Sequence, residues 1–261
     1  MELERYRVGS LAKGLQLLRL FAKEQRALTL SEVAQKIGWN KVTTYRFLVT
    51  LQAEGYIDQD AVSKQYSMTS RVMDLGFGYL NGLGYPERAL PYLRRLSEAT
   101  GHSTNLSVLD GTEIVYLARV ASRSLLSMNL HVGARLPAYC TSMGKVLLAG
   151  LSEPELEACL SRLRFDARTP KTLHRRRDLL TVLQTVRRQG FAINDQELEV
   201  GLRSAAVPVL DSQSRVVAAI NVSVPAAHVT VAELTGTLVP RLIATGREIS
   251  ATLGKAYAER A

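Results

Sequence analysis

Cysteine is scarce in this chain. Cys140 and Cys159 are the only two, too few for the disulfide framework of a small secreted domain. Long apolar runs are missing as well. No stretch approaches the roughly 18 consecutive apolar residues of a membrane-spanning helix, so no membrane partner is expected. The opening residues MELERYRVGS are charged and lack the apolar core of a signal peptide, and the cytoplasm is the expected compartment. No Cys/His cluster has metal-ligand spacing, so neither a metal nor a cofactor is expected. Repeats and low-complexity tracts are absent. What remains is an ordinary globular composition, 46% apolar and 22% charged over 261 residues, which suits one large or two modest domains. The net charge of +9 is compatible with nucleic acid, but the Lys/Arg excess is spread along the whole chain. The cluster Arg175-Arg176-Arg177 reads as the start of a solvated helix.

The richest signal lies in ALTLSEVAQKIGWNKVTTYRFLVTLQAEGYIDQDAVSKQY, from Ala27 to Tyr66. Thr29 and Glu32 have capping-box spacing, so a helix starts near Leu30 and stops at Gly38. Asn40 caps a second helix that runs to about Glu54 and ends at Gly55. Two short helices joined by a tight turn form a helix-turn-helix, whose second helix enters the major groove of double-stranded DNA. Tyr56–Asp58 and Gln65–Met68, joined around Val62–Lys64, form a hairpin wing. On the second helix Thr44, Phe47, Leu48 and Leu51 make one apolar stripe, and Val42, Tyr45, Arg46 and Val49 lie opposite. Asn40, Lys41, Thr43, Tyr45 and Arg46, with Lys64 on the wing, are the candidate DNA contacts. Arg can pair with guanine, and Lys or Thr can hold phosphate or base edges.

The remaining pattern completes an α+β chain. Residues 1–69 form the winged helix-turn-helix, 70–85 a linker helix and 86–261 a second domain. A first helix from Ser10 carries Leu11, Leu15, Leu18 and Ala22 at helical spacing, a stripe expected to pack behind the DNA-binding pair. The linker SRVMDLGFGYLNGL holds several glycines and ends or bends before Pro86. Its apolar side, Val72, Leu75, Tyr79 and Leu83, suits a partner copy or its own second domain. Further on, SVLDGTEIVYLARV reads as a hairpin turning at Asp110-Gly111, and SLLSMNLHVG as another strand. CTSMGKVLLAGL, PELEACLSRL and RRDLLTVLQTVRRQG read as helices. SAAVPVLDSQSRVVAAINVSVP reads as a strand pair, and Thr230 with Glu233 caps a last helix of roughly Ala232–Tyr257. Strands flanked by helices imply one antiparallel sheet with helices packed on it.

The segments VGSLAKGLQLLRLF, LTLSEVAQKIG, YRFLVTLQAEGYI, LPAYCTSMGKVLLAGL and GFAINDQELEVGLRSAAVPV resemble the IclR family of bacterial transcription regulators. The resemblance covers nearly all of residues 8–255. It implies an amino-terminal winged helix joined to a GAF-like effector-binding domain, in a homodimer or dimer of dimers reading a pseudo-palindromic operator. RLPAYCTSMGKVLLAGL looks like the branch that controls aromatic-acid catabolism, whose effectors are small organic acids. Carried over by position, the resemblance places the effector against Ser142, Met143, Gly144, Asn194, Asp195, Ser204, Asn221 and Ser223, with apolar walls from Leu125 and Met128. Relatives with very small ligands have a Gly-Ala pair at Ser142-Met143 and different polar groups at Asn194, Ser204 and Asn221, so a glyoxylate-like specificity does not follow.

The residues themselves suit a carboxylate. A helix amino terminus presents unpaired N–H groups to an anion, and one begins at Thr141-Ser142. Arg119 and Arg135 are candidates to neutralise the charge. Two other classes compete. Cys140 with one of His102, His131, His174 or His228 could be a thiol nucleophile and base in an enzyme. Alternatively, the second domain only dimerises and senses nothing.

Overall fold

The helix signals at Thr29 and Asn40 close in the computed structural model, which describes residues 6–122 and 130–258. The chain divides into two compact units, 1–82 and 83–261.

In the first unit, α1 (Gly9–Glu24) precedes α2 (Leu30–Ile37) and α3 (Lys41–Ala53). Thr29 accepts from the Glu32 N–H and the Glu32 carboxylate accepts from the Thr29 N–H, so both orphan donors are satisfied. The Thr29 N–H, followed by the Arg26 guanidinium and the Thr29 hydroxyl, donates to the Glu32 carboxylate and pulls its carboxyl down to about 2. Gly38 ends α2 with φ +76°, a conformation that favours glycine. The Asn40 side chain then accepts from the Thr43 N–H at 2.8 Å and starts α3. The wing pairs β1 (Ile57–Gln59) with β2 (Tyr66–Met68) in antiparallel register. Its tip is shaped by Asp60, which accepts from the Val62 and Ser63 N–H groups.

The buried side of α1 differs from the expected stripe. Leu17 and Phe21 are buried, whereas Leu11 is 63% exposed. LQLLRLF places leucines on more than one side of the helix, and packing against α2, α3 and β2 selects Leu17 and Phe21. The stripe of α3 is as read: Thr44 and Leu48 are buried, and Phe47 and Leu51 pack beside them. The linker helix α4 (Val72–Leu83) buries no residue and exposes Met73, Leu75, Phe77 and Tyr79. Gly84, at φ +68°, separates it from α5 (Tyr85–Thr100).

The second unit is built on a six-stranded antiparallel sheet, order β5-β4-β3-β8-β7-β6. The strands are β3 (Ser103–Asp110), β4 (Glu113–Val120), β5 (Arg135–Pro137), β6 (Ala192–Asp195), β7 (Leu202–Leu210) and β8 (Val216–Pro225). Alternation along β7 sorts its neighbours. Val207 faces Gly246 of the last helix, α9 (Val239–Ala258), while Ser204 and Ala206 face α6 (Ser142–Ala149). α5 and α9 therefore cover one face of the sheet. On the other, α6 packs with α7 (Glu153–Leu160) and α8 (Arg176–Gln189) around a leucine-rich core.

Most of SLLSMNLHVG lies outside the described residues, and its remainder, 130–133, is not strand. The edge strand is Arg135–Pro137 instead, and β6 is a strand that the periodicity did not reveal. The Thr230–Glu233 capping box is present, but a π-helical stretch, Leu234–Leu238, intervenes before α9.

Candidate functional site

Two surfaces bring chemistry together, one in each unit. In the first, α3 presents Asn40, Lys41, Thr43, Tyr45 and Arg46 on its open side, and Lys64 stands at the wing tip with φ +56°. Asn40 is spent as the cap, so its amide NH2 is the part left to donate outward. Elsewhere in this unit Arg26 pairs with Glu32, and Lys36 with Glu24. Lys41 and Arg46 form no salt bridge among the described residues, and Lys64 acts electrostatically on Asp60 of the same turn. Lys41 in the first turn of α3 and Arg46 one turn further on add positive charge to a helix amino terminus, a surface that attracts phosphate.

In the second unit, a cavity of about 200 Å³ lies between the sheet and the start of α6. The Thr141 hydroxyl caps that helix by accepting from the Gly144 N–H at 3.1 Å, which leaves the Ser142 and Met143 N–H groups at its open end. Gly144 does not line the cavity; it fixes the helix. A Cβ there would lie 2.1 Å from the Ala138 carbonyl oxygen. Ser142 and Ser204 join hydroxyls at 2.7 Å. Cross-strand register sets Asn194, Ser204, Ser223 and Ser103 in one row across four strands. In the next row Arg119, Asn105 and Asn221 are aligned. Arg119 donates to Asn105 at 3.1 Å, Asn105 to Asn221 at 2.7 Å, and Asn221 to Ser223 at 3.2 Å. Tyr116 adds its phenol, pushed up to about 12 by burial. The Ser107 hydroxyl donates to the Met143 sulfur.

Ser142, Met143, Asn194, Ser204, Asn221, Ser223 and Arg119 thus share one cavity. Asp195 does not: it is committed to Arg203 and Lys171. Arg135 is held at the surface by Asp110 and Glu113. Leu125 and Met128 lie outside the described residues. Cys140 is fully buried, and desolvation pushes its thiol up to about 11, the reverse of what a thiolate nucleophile needs.

Sequence reasoning missed the link between α6 and the β6–β7 loop. Lys145 has a side chain only 2% exposed, paired with Glu197 at 11%, and it donates to the Ile193 carbonyl at 3.0 Å. The second oxygen of Glu197, Oε2, is buried without a partner. The Glu197 N–H donates to Asn194 in the cavity wall, and its carbonyl accepts from Thr172. One signal was available: Lys145 is the only charge in the apolar run SMGKVLLAG, and a cation on an all-apolar helix needs a buried partner. Asn105 and Arg203 carried no such mark.

A winged helix-turn-helix joined to a sheet domain with a polar cavity defines a DNA-binding regulator with an effector-binding domain. The family model described as the IclR helix-turn-helix domain matches residues 10–61. That of the bacterial transcriptional regulator IclR C-terminal domain matches residues 77–251. The chain belongs to the IclR family of bacterial transcriptional regulators. It is 40% identical to the Pca regulon regulatory protein of Pseudomonas putida, covering 92% of this chain and 82% of that one. It is 32% identical to the Pca operon regulatory protein of Acinetobacter baylyi, covering 93% and 88%. A crystal structure from Rhodococcus sp. RHA1, solved as a candidate transcriptional regulator, superposes with a TM-score of 0.82 at 41% identity, covering 95% and 98%. Among the described residues no helix is long and apolar enough to cross a membrane, and no His/Cys/Asp/Glu group could hold a metal ion.

Proposed function

We propose that this regulator controls the catabolism of aromatic acids and responds to a small organic acid, an aromatic acid or β-ketoadipate. The names of the Pseudomonas and Acinetobacter relatives support the pathway. The observation that carries the ligand reading is the convergence of Ser142, Ser204, Asn221 and Ser223 on a cavity at the open end of α6. A helix terminus with hydroxyl and amide donors favours a carboxylate. Asn194 and Met143 complete the wall.

In this reading the first unit binds duplex DNA. Asn40, Lys41, Thr43, Tyr45 and Arg46 enter the major groove, and Lys64 holds backbone phosphate. The working form is a homodimer or dimer of dimers on a pseudo-palindrome, supported by the exposed Met73, Leu75, Phe77 and Tyr79 of the linker helix.

A thermal-shift and calorimetric series with aromatic and dicarboxylic acids tests the ligand. At 100 times its dissociation constant a bound acid adds about 2.7 kcal/mol of stability. Ser204→Leu removes one hydroxyl of the buried pair, fills the cavity and abolishes that response. If no acid binds, or if Ser204→Leu responds like the parent, the second unit is a dimerisation module and the sensing role is withdrawn.

A further inference from the structure

Two walls of the cavity come from separate pieces of chain. α6 supplies the Ser142 and Met143 N–H groups at its start. β6 and the turn after it supply Asn194, Leu198, Glu199, Val200 and Gly201. β6 has four residues and stands at the edge of the sheet, hydrogen-bonded to β7 alone. Its ladder therefore holds it on one side only.

Most side-chain ties of this stretch lead away from α6. Asp195 is committed to Arg203 and Lys171. The Gln196 and Glu197 carbonyls accept from Thr169 and Thr172. Among the described residues Lys145 alone joins the stretch to α6. It donates to the Ile193 carbonyl at 3.0 Å and pairs with Glu197. The Glu197 N–H donates in turn to the Asn194 side chain at 2.8 Å. The tie thus starts on α6 and ends in the opposite wall, yet neither Lys145 nor Glu197 lines the cavity. It is also costly to bury: one carboxylate oxygen of Glu197 has no partner. Apolar residues of similar volume would fill that space at less cost. They could not supply a directional link between an ammonium, a backbone carbonyl and a carboxylate.

Resting on the proposed sensing role, we propose that Lys145 and Glu197 are positioning residues for the effector. They fix the Asn194 wall relative to the start of α6 without touching the ligand. Without the tie the wall shifts, and a ligand binds only the fraction of molecules in which it is in place. The apparent dissociation constant rises by the inverse of that fraction.

The test sets affinity against stability, because a merely structural pair would move both together. Calorimetric titration of the intact protein with 4-hydroxybenzoate and with β-ketoadipate is paired with thermal unfolding. The proteins are the parent, Glu197→Gln and the double variant Lys145→Met/Glu197→Leu. The double variant buries neither charge and has no tie. Its affinity for the acid that the parent binds should fall about tenfold or more, as when the wall is in place in about a tenth of the molecules. Glu197→Gln keeps an oxygen of the same reach facing the ammonium, but strands the charge of Lys145. It should melt lower than the double variant and bind more tightly. A double variant that binds like the parent, or affinities that follow the melting points, would overturn the positioning role and leave the sensing role standing. If the double variant does not fold, Glu197→Gln decides. Binding within about threefold of the parent at a lowered melting point supports the role, and weaker binding overturns it. If the parent binds neither acid, the sensing role fails and the positioning role falls with it.

Discussion

Replacing Lys145 by methionine keeps an unbranched side chain one atom shorter and removes its charge. The parent pair is nearly dry, with side-chain exposures of 2% and 11%. Removing one member of such a pair leaves an uncompensated charge and costs about 3–5 kcal/mol. For a domain of this size, 1 kcal/mol moves the unfolding midpoint by about 2–4 °C, so the second unit should melt roughly 6–20 °C lower. Differential scanning calorimetry reads this, provided that the two units' transitions are assigned separately. The double variant Lys145→Met/Glu197→Leu removes both charges and should recover at least half of the loss. Burial already raises the Glu197 carboxyl above its ordinary 4.5. A carboxyl raised in the fold contributes stability below its unfolded value and loses it as pH rises through the folded one. The deficit of Lys145→Met is therefore smallest below pH 4.5 and grows toward neutrality. A midpoint within about 2 °C of the parent, or a double variant as unstable as the sum of its singles, would refute the reasoning.

Other substitutions probe separate parts of the account. Gly144→Ala drives a Cβ to 2.1 Å from the Ala138 carbonyl; backbone must move, so a loss of about 1–3 kcal/mol or more in urea unfolding is expected, and an unchanged midpoint would contradict the packing described. Asn40→Ala removes the cap of α3 and should destabilise the first unit by about 1 kcal/mol, read from its own melting transition; no change would show that the cap is idle. Arg46→Ala should weaken DNA binding by roughly 1–3 kcal/mol and blunt base preference. A fluorescence titration and binding profile matching the parent's would remove Arg46 from the interface.

Local chemistry made the DNA-binding unit legible. Thr29 with Glu32, Gly38 and Asn40 each act within four residues, so their spacing is visible in the chain itself. The Asp110-Gly111 turn is local in the same way, with Gly111 at φ +63°. Choices made by distant partners were not visible. Leucines on several sides of α1 left its buried face open until α2, α3 and the wing closed on it. β6 is only four residues long, too short for alternation to mark it. The cavity residues were placed by resemblance rather than by pattern, and register explains why. Asn105 and Asn221 meet across 116 residues of sequence, and Ser142 and Ser204 across 62. Asp195 sat next to Asn194 in the sequence, yet strand alternation turns it the other way, to Arg203.

The central claim is that occupancy of the cavity changes DNA binding. The direct measurement is the affinity of the intact protein for a genomic fragment that it selects, with and without a saturating acid found by calorimetry, in the parent and in Ser204→Leu. A coupling of roughly 1–3 kcal/mol, a 5- to 150-fold change in affinity, is expected in the parent. Ser204→Leu should keep the unliganded affinity and lose the change. Failure to prefer any fragment, or a parent whose affinity is the same with and without a bound acid, would contradict the account.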